Sequence, residues 1–569
     1  MGRYRSSHKV LFAALFILTV AAGAYLFSPG APEAQETGGA AQLSDAVAAG
    51  QIAPDSPGEL AAAEAPQLSR SQMEALLLRK SKLNEEWASP FDTLASPPGL
   101  PLAAGRETKV ATPADSGFHG NPAAFVVGRN NKNTNANNAA KGSTLAEPAA
   151  ANNARNVFAA GNFNHAEFST NGGATWADVA LPGGPADAPF LCCDNDVIID
   201  DARRVTFHSA LYVNSGPTNG VVRIFVRRNP PAADCSFTID PAGTANNIVP
   251  DYPHIGLTKR FLYLTINAVG AGGGFARIYR FNIDQMVDCV ATAFTTFTQS
   301  FDIFGQRVWV PAEGTNNIEA MYWGQLNNAT TFRIFRWSEA AGAPAIFTRT
   351  ISASTFANDV DCRGGVGNVN WWSPPPGIFR AAQIDGSHLR GAAAPGANGG
   401  PGVLAFYWNV APDAAHTQGH IHAAIFNLST LTLLAQPHIF NNTFCFGFPV
   451  VTANKRGDLG MSLAFGGRAG GGGAAAQGGV GIDDEFTTGI GFFGTFFLTA
   501  SGTHNRSDER FGDYFTIHPY EPCEKWFTAT NYALLNGTGV ANVNSRYIEF
   551  GRNQSFRCYK AHRDQAPTP

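Results

Sequence analysis

Phe168 to Trp176 reads FSTNGGATW, and its side chains prescribe a tight turn between two strands. Ser169 and Asn171 can hydrogen-bond the turn backbone, Gly172 and Gly173 accept positive φ, and Trp176 returns as an apolar plug beneath the turn. The pattern is Ser-x-Asp-x-Gly-x-Thr-Trp, with Ser169, Gly173, Thr175 and Trp176 in place and Asn171 where an acid would stand. Asparagine keeps the acceptor and drops the charge.

Outward from this hairpin, from about Asn121 onward, a module of roughly 45 to 65 residues recurs, the size range of propeller blades. Each copy has a short apolar strand, a polar turn and a second strand rich in Phe, Tyr and Leu. Starts fall at Ala146, Cys192 (CCDNDVIIDDARRVTFHSALYV), Asp251 (DYPHIGLTKRFLYLTINAV), Arg307, Gly402, Phe448 and Phe511, the one at Gly402 being the faintest. The expected fold is all-β, a seven-bladed β-propeller. PAAFVVGR, Pro122 to Arg129, precedes the first full module and can add a strand to the last blade, closing the ring and removing open sheet edges. The Gly-rich runs at 391–402 and 466–481 read as hairpin tips or blade connections, without the Gly-Lys-Ser/Thr ending of a phosphate loop.

Composition agrees with many short strands. Only 15% of the 569 residues are charged, while Gly (61) and Phe (42) are abundant. A formal net charge of -4 provides no basic field for nucleic acid, and that class of partner is set aside.

Arg3, Arg5 and Lys9 precede an apolar run from Val10 to Phe27, and Ala22-Gly23-Ala24 offers a small-residue cleavage site. Residues 1–27 are expected to be an export signal or a membrane anchor, the only contact with a membrane. Residues 28–116, rich in Ala, Pro, Glu and Gly, read as a tether, with one short helix near 71–88 where Ser71 and Glu74 make a capping box. The propeller is expected over 117–560 and a disordered tail over 561–569. All eight cysteines lie past the export segment, so disulfides are expected. Neighbour spacing suggests Cys235 with Cys289 and Cys523 with Cys558. Cys192 and Cys193 fit either two buried thiols or a vicinal disulfide.

DYPHIGLTKRFLYLTINAV, CCDNDVIIDDARR, GDLGMSLAFGG and RFGDYFTIHPYEPCEKWFTATNY, together with the hairpin at Phe168, resemble segments of exported bacterial propellers of the sialidase-like, Asp-box (BNR-repeat) kind. The resemblance covers most of Ala146 to Arg552 in order, with Phe511 for the usual Trp and His254 for the usual Lys. It implies a sialidase-like propeller in an extracellular or periplasmic address, with the Asp-box hairpin joining two outer strands on the side away from the channel mouth. It implies no established activity.

A sialidase needs three arginines to clamp a carboxylate, a Tyr nucleophile with a Glu partner, and an acid/base. Arg129, Arg307, Arg510, Tyr514 and Glu147 are candidate pieces, and nothing in the sequence joins them. If each module begins with its innermost strand, Glu147, Asp194, Asp196, Asp251 and Asp513 occupy related positions near one mouth, with Arg307 and Arg510 beside them. Such carboxylates can hold calcium or a sugar hydroxyl, or simply cap their own blade turns. HTQGHIH turns His420 and His422 to one face of a strand with His416 near, a set that can bind zinc or copper. With no acid or cysteine seen beside them to complete a site, exposed hairpin histidines are the plainer expectation, and neither a metal nor another cofactor is called. Trp371 and Trp372 fit either a glycan platform or a filler between blades. The function expected is binding or scaffolding of an unknown extracellular or envelope ligand, with a glycoside hydrolase or lyase at the channel mouth as the alternative.

Overall fold

Strands in this chain pair with their sequence neighbours, which is what short polar turns between apolar runs produce. The computed structural model describes residues 46–60, 64–66, 106–112, 121–133 and 146–563, apart from 217, 229, 242–247, 271–272, 301–308, 315–318, 353–359, 373–379, 384–401, 488, 508, 510, 513 and 537–541. The export segment, the helix near 71–88, the tail from 564 on, Arg307, Arg510 and Asp513 lie outside these residues. Residues 44–569 form one unit.

Among the described residues there are eight sheets: seven, mainly antiparallel, follow one another along the chain as blades, and the eighth is the two-stranded pair Arg363–Gly364 and Val369–Asn370. Blade 1 runs through Ala149–Asn153, Asn156–Gly161, His165–Ser169 and Ala177–Asp178. Blade 2 begins with Asp196–Asp200, blade 3 with Ile248–Leu257, blade 6 with Cys445–Ala453 and blade 7 with Ile517–Pro519. Blade 4 pairs Ala320–Asn328, Thr331–Ser338 and Ala345–Thr350, with Ala312 N–H donating to Tyr322 on its inner side (2.8 Å). Blade 5 begins with Arg380–Gln383, so GVLAFYWNV is its second strand, Val403–Val410, and not its first. An apolar run is legible anywhere in a sheet, and the best one here is the strand buried from both faces.

The ring closes as the sequence suggests: Phe125–Lys132 pairs antiparallel with Arg546–Arg552, the third strand of blade 7. Two pieces of the stretch read as a tether are in the sheets instead. Ala46–Ile52 extends blade 3 beyond Thr292–Ser300, and Lys109–Ala111 lies parallel to Thr495–Ala500 on blade 6. An unpaired outer edge offers a row of N–H and C=O groups, and a small-residue strand such as AVAAGQI satisfies them without needing a core of its own.

The blades adhere through apolar side chains shared by consecutive pairs. Phe158, Leu191 and Phe225 join blades 1 and 2, while Phe207, Leu264 and Phe281 join blades 2 and 3. Trp309, Trp323 and Trp337 fill the joint of blades 3 and 4. Each such side chain contributes about 1.5–3 kcal/mol on burial. Four disulfides add to this: Cys192–Cys193, Cys235–Cys289, Cys362–Cys445 and Cys523–Cys558. Four such bonds fit an oxidising compartment. No helix among the described residues is long and apolar enough to cross a membrane.

The hairpin from Phe168 closes as its side chains require. Ser169 Oγ accepts the N–H of Gly173 (2.8 Å), Asn171 Oδ1 accepts that of Thr175 (2.9 Å), and Gly172 and Gly173 stand at φ 68° and 78°. Trp176 packs edge-on against Tyr547. The turn joins the third and fourth strands of blade 1, on the face opposite the starts of the innermost strands.

Candidate functional site

The innermost strands start on one face, and in five blades the start carries a residue with positive φ: Glu147 (41°), Asp194 (55°), Tyr252 (55°), Phe448 (54°) and Gly512 (103°). Non-glycine residues held there cost on the order of 1–3 kcal/mol each and persist only where the surroundings fix them. In blades 3 and 6 the register shifts at this point, between Asp251 and His254 and between Gly447 and Val450, a bulge that re-aims side chains. The preceding blade holds it in place. Asn162 of blade 1 accepts the N–H of Asp194 (2.9 Å), the Asp194 carboxylate accepts that of Tyr252 (3.1 Å), and Asn409 of blade 5 accepts that of Phe448 (2.9 Å).

Glu147 and Asp194 therefore share one position at the mouth, with Asp251 one residue before the corresponding Tyr252 and Asp196 two beyond Asp194. All four are buried. Asn162 donates to Glu147 (2.7 Å), so Glu147, Asn162, Asp194 and Tyr252 form a chain of contacts across three blades. The caps run both within a blade, as Asn162 to Glu147 and Val197 N–H to Asp196 (2.9 Å), and from one blade to the next.

Below this layer the axis carries paired charges. His254 Nδ1 lies 3.4 Å from Asp196 Oδ2, which also accepts the N–H of Ile255 (3.0 Å), and His518 Nδ1 lies 3.0 Å from Glu313 Oε2. Burial pushes the Asp196 carboxyl up, but the hydrogen bond and charge of His254, the charge of His518 and the Ile255 N–H outweigh it, and the net displacement is downward. Burial likewise pushes His518 down, and Glu313 and Asp196 outweigh it, so the net displacement is upward from the ordinary imidazole value. His254 stacks on Tyr514 (4.4 Å, 11°), whose O–H donates to the Pro253 carbonyl (2.7 Å). A cavity of about 20 Å³, room for one water, is lined by Ile198, Leu257, Glu313, His518 and Glu521. Burial first, then the charges of Asp201 and Glu524, push the Glu521 carboxyl well up.

Other expected pieces lie elsewhere. Arg129 sits on the closing strand, 3.5 Å from Glu549, away from the axis. Trp371 and Trp372 are buried, packed on Phe448, and fill the space between blades rather than forming a platform.

The histidines of HTQGHIH are not exposed: His416, His420 and His422 are all buried. An acid does lie beside them, Asp413, three residues before His416 and 2.9 Å from its Nδ1. A fourth imidazole arrives from His438–Ile439, which pairs with His420–Asn427 in the sheet. His420 Nε2 is 2.9 Å from His438 Nδ1, and His438 stacks on His416 (4.5 Å) and on His422 (4.1 Å). Burial and the neighbouring rings push His420 down to about 3 and His438 to about 4. The D-x-x-H spacing was readable in APDAAH; the partnership with His438 depends on the turn after Asn427 and was not.

No family model matches the chain, and no curated protein sequence matches it. Among solved structures it is similar to the GH93 α-L-arabinofuranosidase of Fusarium graminearum bound to arabinobiose (8% identity, 75% of this chain and 98% of that one, TM-score 0.35). It is also similar to the Penicillium chrysogenum α-L-arabinanase (11% identity, 53% and 93%, TM-score 0.29) and to the Trypanosoma rangeli sialidase (13% identity, 56% and 52%, TM-score 0.29). Likenesses this loose carry no argument about activity.

Proposed function

We propose that this chain acts on a glycan at the mouth of its channel and hydrolyses a glycosidic bond there. The observation that carries the reading is the file of acid and imidazole groups buried along the axis beneath the mouth: Asp194, Asp196, His254, Glu313 and His518. Buried ion pairs are weak devices for stability, since apolar side chains of the same volume serve as well or better. Displaced charges in a cleft are the mark of a site. Glycoside hydrolysis passes through an oxocarbenium-like transition state that a fixed carboxylate stabilises, and it needs a group with a proton to give. Asp196, whose carboxyl is displaced downward, and His518, whose imidazole is displaced upward, supply those two roles in this reading. The glycosidases named above are in keeping with it and do not carry it.

A second reading, retention of the glycan without turnover, is favoured by the size of the axial cavity. About 20 Å³ admits a water and no sugar ring, so in this reading the glycan does not enter the space lined by Glu313 and His518. The test is a panel of polysaccharides and aryl glycosides, with binding and reducing-end release measured in parallel on the purified chain. Turnover that falls by about 100-fold or more in Asp196→Asn, with circular dichroism unchanged, supports hydrolysis. Binding without release, unaffected by that change, supports retention, and a chain that neither binds nor cuts any glycan overturns both.

A further inference from the structure

Blade 5 gathers four metal-ligating side chains at one point. Asp413, His416, His420 and His438 each turn one ligand atom inward, and those atoms all lie within 4.8 Å of one another. Zinc with nitrogen ligands at about 2.0–2.1 Å in a tetrahedron spaces its ligand atoms by about 3.3 Å. The separations here bracket that value: 2.9 Å from His416 Nδ1 to Asp413 Oδ2, 2.9 Å from His420 Nε2 to His438 Nδ1, and 4.0 Å from His420 Nε2 to Asp413 Oδ2.

The outer shell is also in place. His420 Nδ1 faces the Gln418 carbonyl at 3.1 Å, and an imidazole that donates from Nδ1 leaves its Nε2 lone pair free for a metal. His416 and His420 are shielded from solvent while the Asp413 side chain is 38% exposed, so an ion has a short entry path over one hydrophilic ligand. A set of three imidazoles and one carboxylate is borderline in softness, suited to zinc and unsuited to calcium or magnesium.

We propose that Asp413, His416, His420 and His438 form a zinc site. Four protein ligands make a closed tetrahedron, which is the arrangement of a structural centre rather than a catalytic one. Its place says what it would brace. Residues 411–419 connect Val403–Val410 to His420–Asn427 on the face where the innermost strands start, as the pairing of Arg380 with Tyr407 requires. The end of that connection is fastened to blade 6, with Phe446 N–H donating to the Gly419 carbonyl (3.0 Å) and Ala469 N–H to Gln418 Oε1 (2.8 Å). A Cβ on Gly419 would come within 2.7 Å of Val360 and 3.3 Å of Trp372. Zinc would thus tie the loop, the third strand and the outer strand of blade 5 into one piece beside the buried Trp372. The inference does not rest on the glycan reading, since neither the ligands nor their test involves a sugar.

The experiment uses the full chain, freed of metal with a chelator and returned to zinc chloride or cobalt chloride. We expect one zinc per chain by elemental analysis after gel filtration, a rise in melting temperature on adding zinc, and the visible bands of tetrahedral cobalt(II). His438→Gln and Asp413→Asn should weaken zinc by about 100-fold or more, since even outer-shell losses cost about 10–100-fold. Asp413→Asn, at the exposed ligand, keeps the test open if His438→Gln fails to fold. Octahedral cobalt spectra, a stoichiometry well under one, or zinc held equally by Asp413→Asn and His438→Gln would overturn the site.

Discussion

Imidazole and carboxylate are packed away from water in two regions of this ring, in different proportions. On the axis, His254 and His518 meet Asp196 and Glu313, contributed by blades 2, 3 and 7 and by the short strand Glu313–Gly314, which pairs with Arg380–Gln383 of blade 5. In blade 5, His416, His420 and His438 share one partly exposed carboxylate, Asp413, and His422 stacks on His438. Burial acts on the histidines of both sets, yet the acids facing His518 raise it above the ordinary imidazole value, while in blade 5 burial and the neighbouring rings push His420 and His438 far below it. Burial alone therefore does not decide the charge of a histidine. The acids facing it do, and each region's chemistry follows: fixed charge on the axis, neutral ring nitrogens in blade 5.

The largest expected effect breaks the axial set. Glu313→Gln leaves the buried His518 without the acid 3.0 Å away, and removing one partner of a buried pair costs about 3–5 kcal/mol. The folded value of His518 stands above its unfolded one, so its contribution is complete below about pH 6.5 and is lost as pH rises through the folded value. Chemical denaturation from pH 5 to 8 should show that dependence in the parent chain and lose it in Glu313→Gln. His438→Gln in chelator-treated chain should cost only about 1 kcal/mol, the worth of one hydrogen bond. Equal losses at the two sites would remove the distinction between them.

How far the sequence reaches differs between the two regions for the same reason. The blades and the closing strand are legible because alternation and turn residues are local, and the turn in FSTNGGATW closes through its own Ser169, Asn171 and Thr175. Glu147 and Asp194 could be given corresponding positions in their modules from the repeat alone. Their partners could not: Tyr252 N–H meets Asp194 across 58 residues, and His518 of blade 7 meets Glu313 from a strand far away in the chain. Pairing in a propeller between blades depends on closure, which no single module encodes. The histidine cluster falls in between, with Asp413, His416 and His420 in one short stretch and His438 delivered by strand register.

A third buried acid tests what happens when a cation rather than an imidazole faces a carboxylate. Asp458 lies in the turn before Leu459–Gly466, 3.1 Å from Arg456 Nε and 3.0 Å from Asn454 Nδ2. Burial wins over both, and with Asp484 and Glu485 nearby the carboxyl is pushed up to about 6. A folded value above the unfolded one means full stability below about pH 4 and a progressive loss as pH rises through 6. At about 1.4 kcal/mol per unit the loss approaches about 3 kcal/mol. The stability of Asp458→Asn relative to the parent should therefore improve between pH 4 and pH 7. A difference independent of pH would mean that Arg456 keeps Asp458 ionised as His254 does Asp196.

The smallest effect belongs to the hairpin on the opposite face. Asn171 accepts the Thr175 N–H (2.9 Å) and the Ser169 hydroxyl (2.9 Å) and donates to Thr175 Oγ1 (2.8 Å), all within a solvent-facing turn that water can partly satisfy. Asn171→Ala removes these contacts without stranding a buried charge, so the cost should be about 1 kcal/mol, that of a lost cap, and independent of pH. The turn lies at the far end of blade 1 from Glu147, and glycan binding or release at the mouth should be unchanged. Denaturation and the glycan panel run on the same preparation decide it. A loss as large as that of Glu313→Gln would mean that the hairpin fastens the ring, and a loss of glycan handling at unchanged stability would move the site to the opposite face.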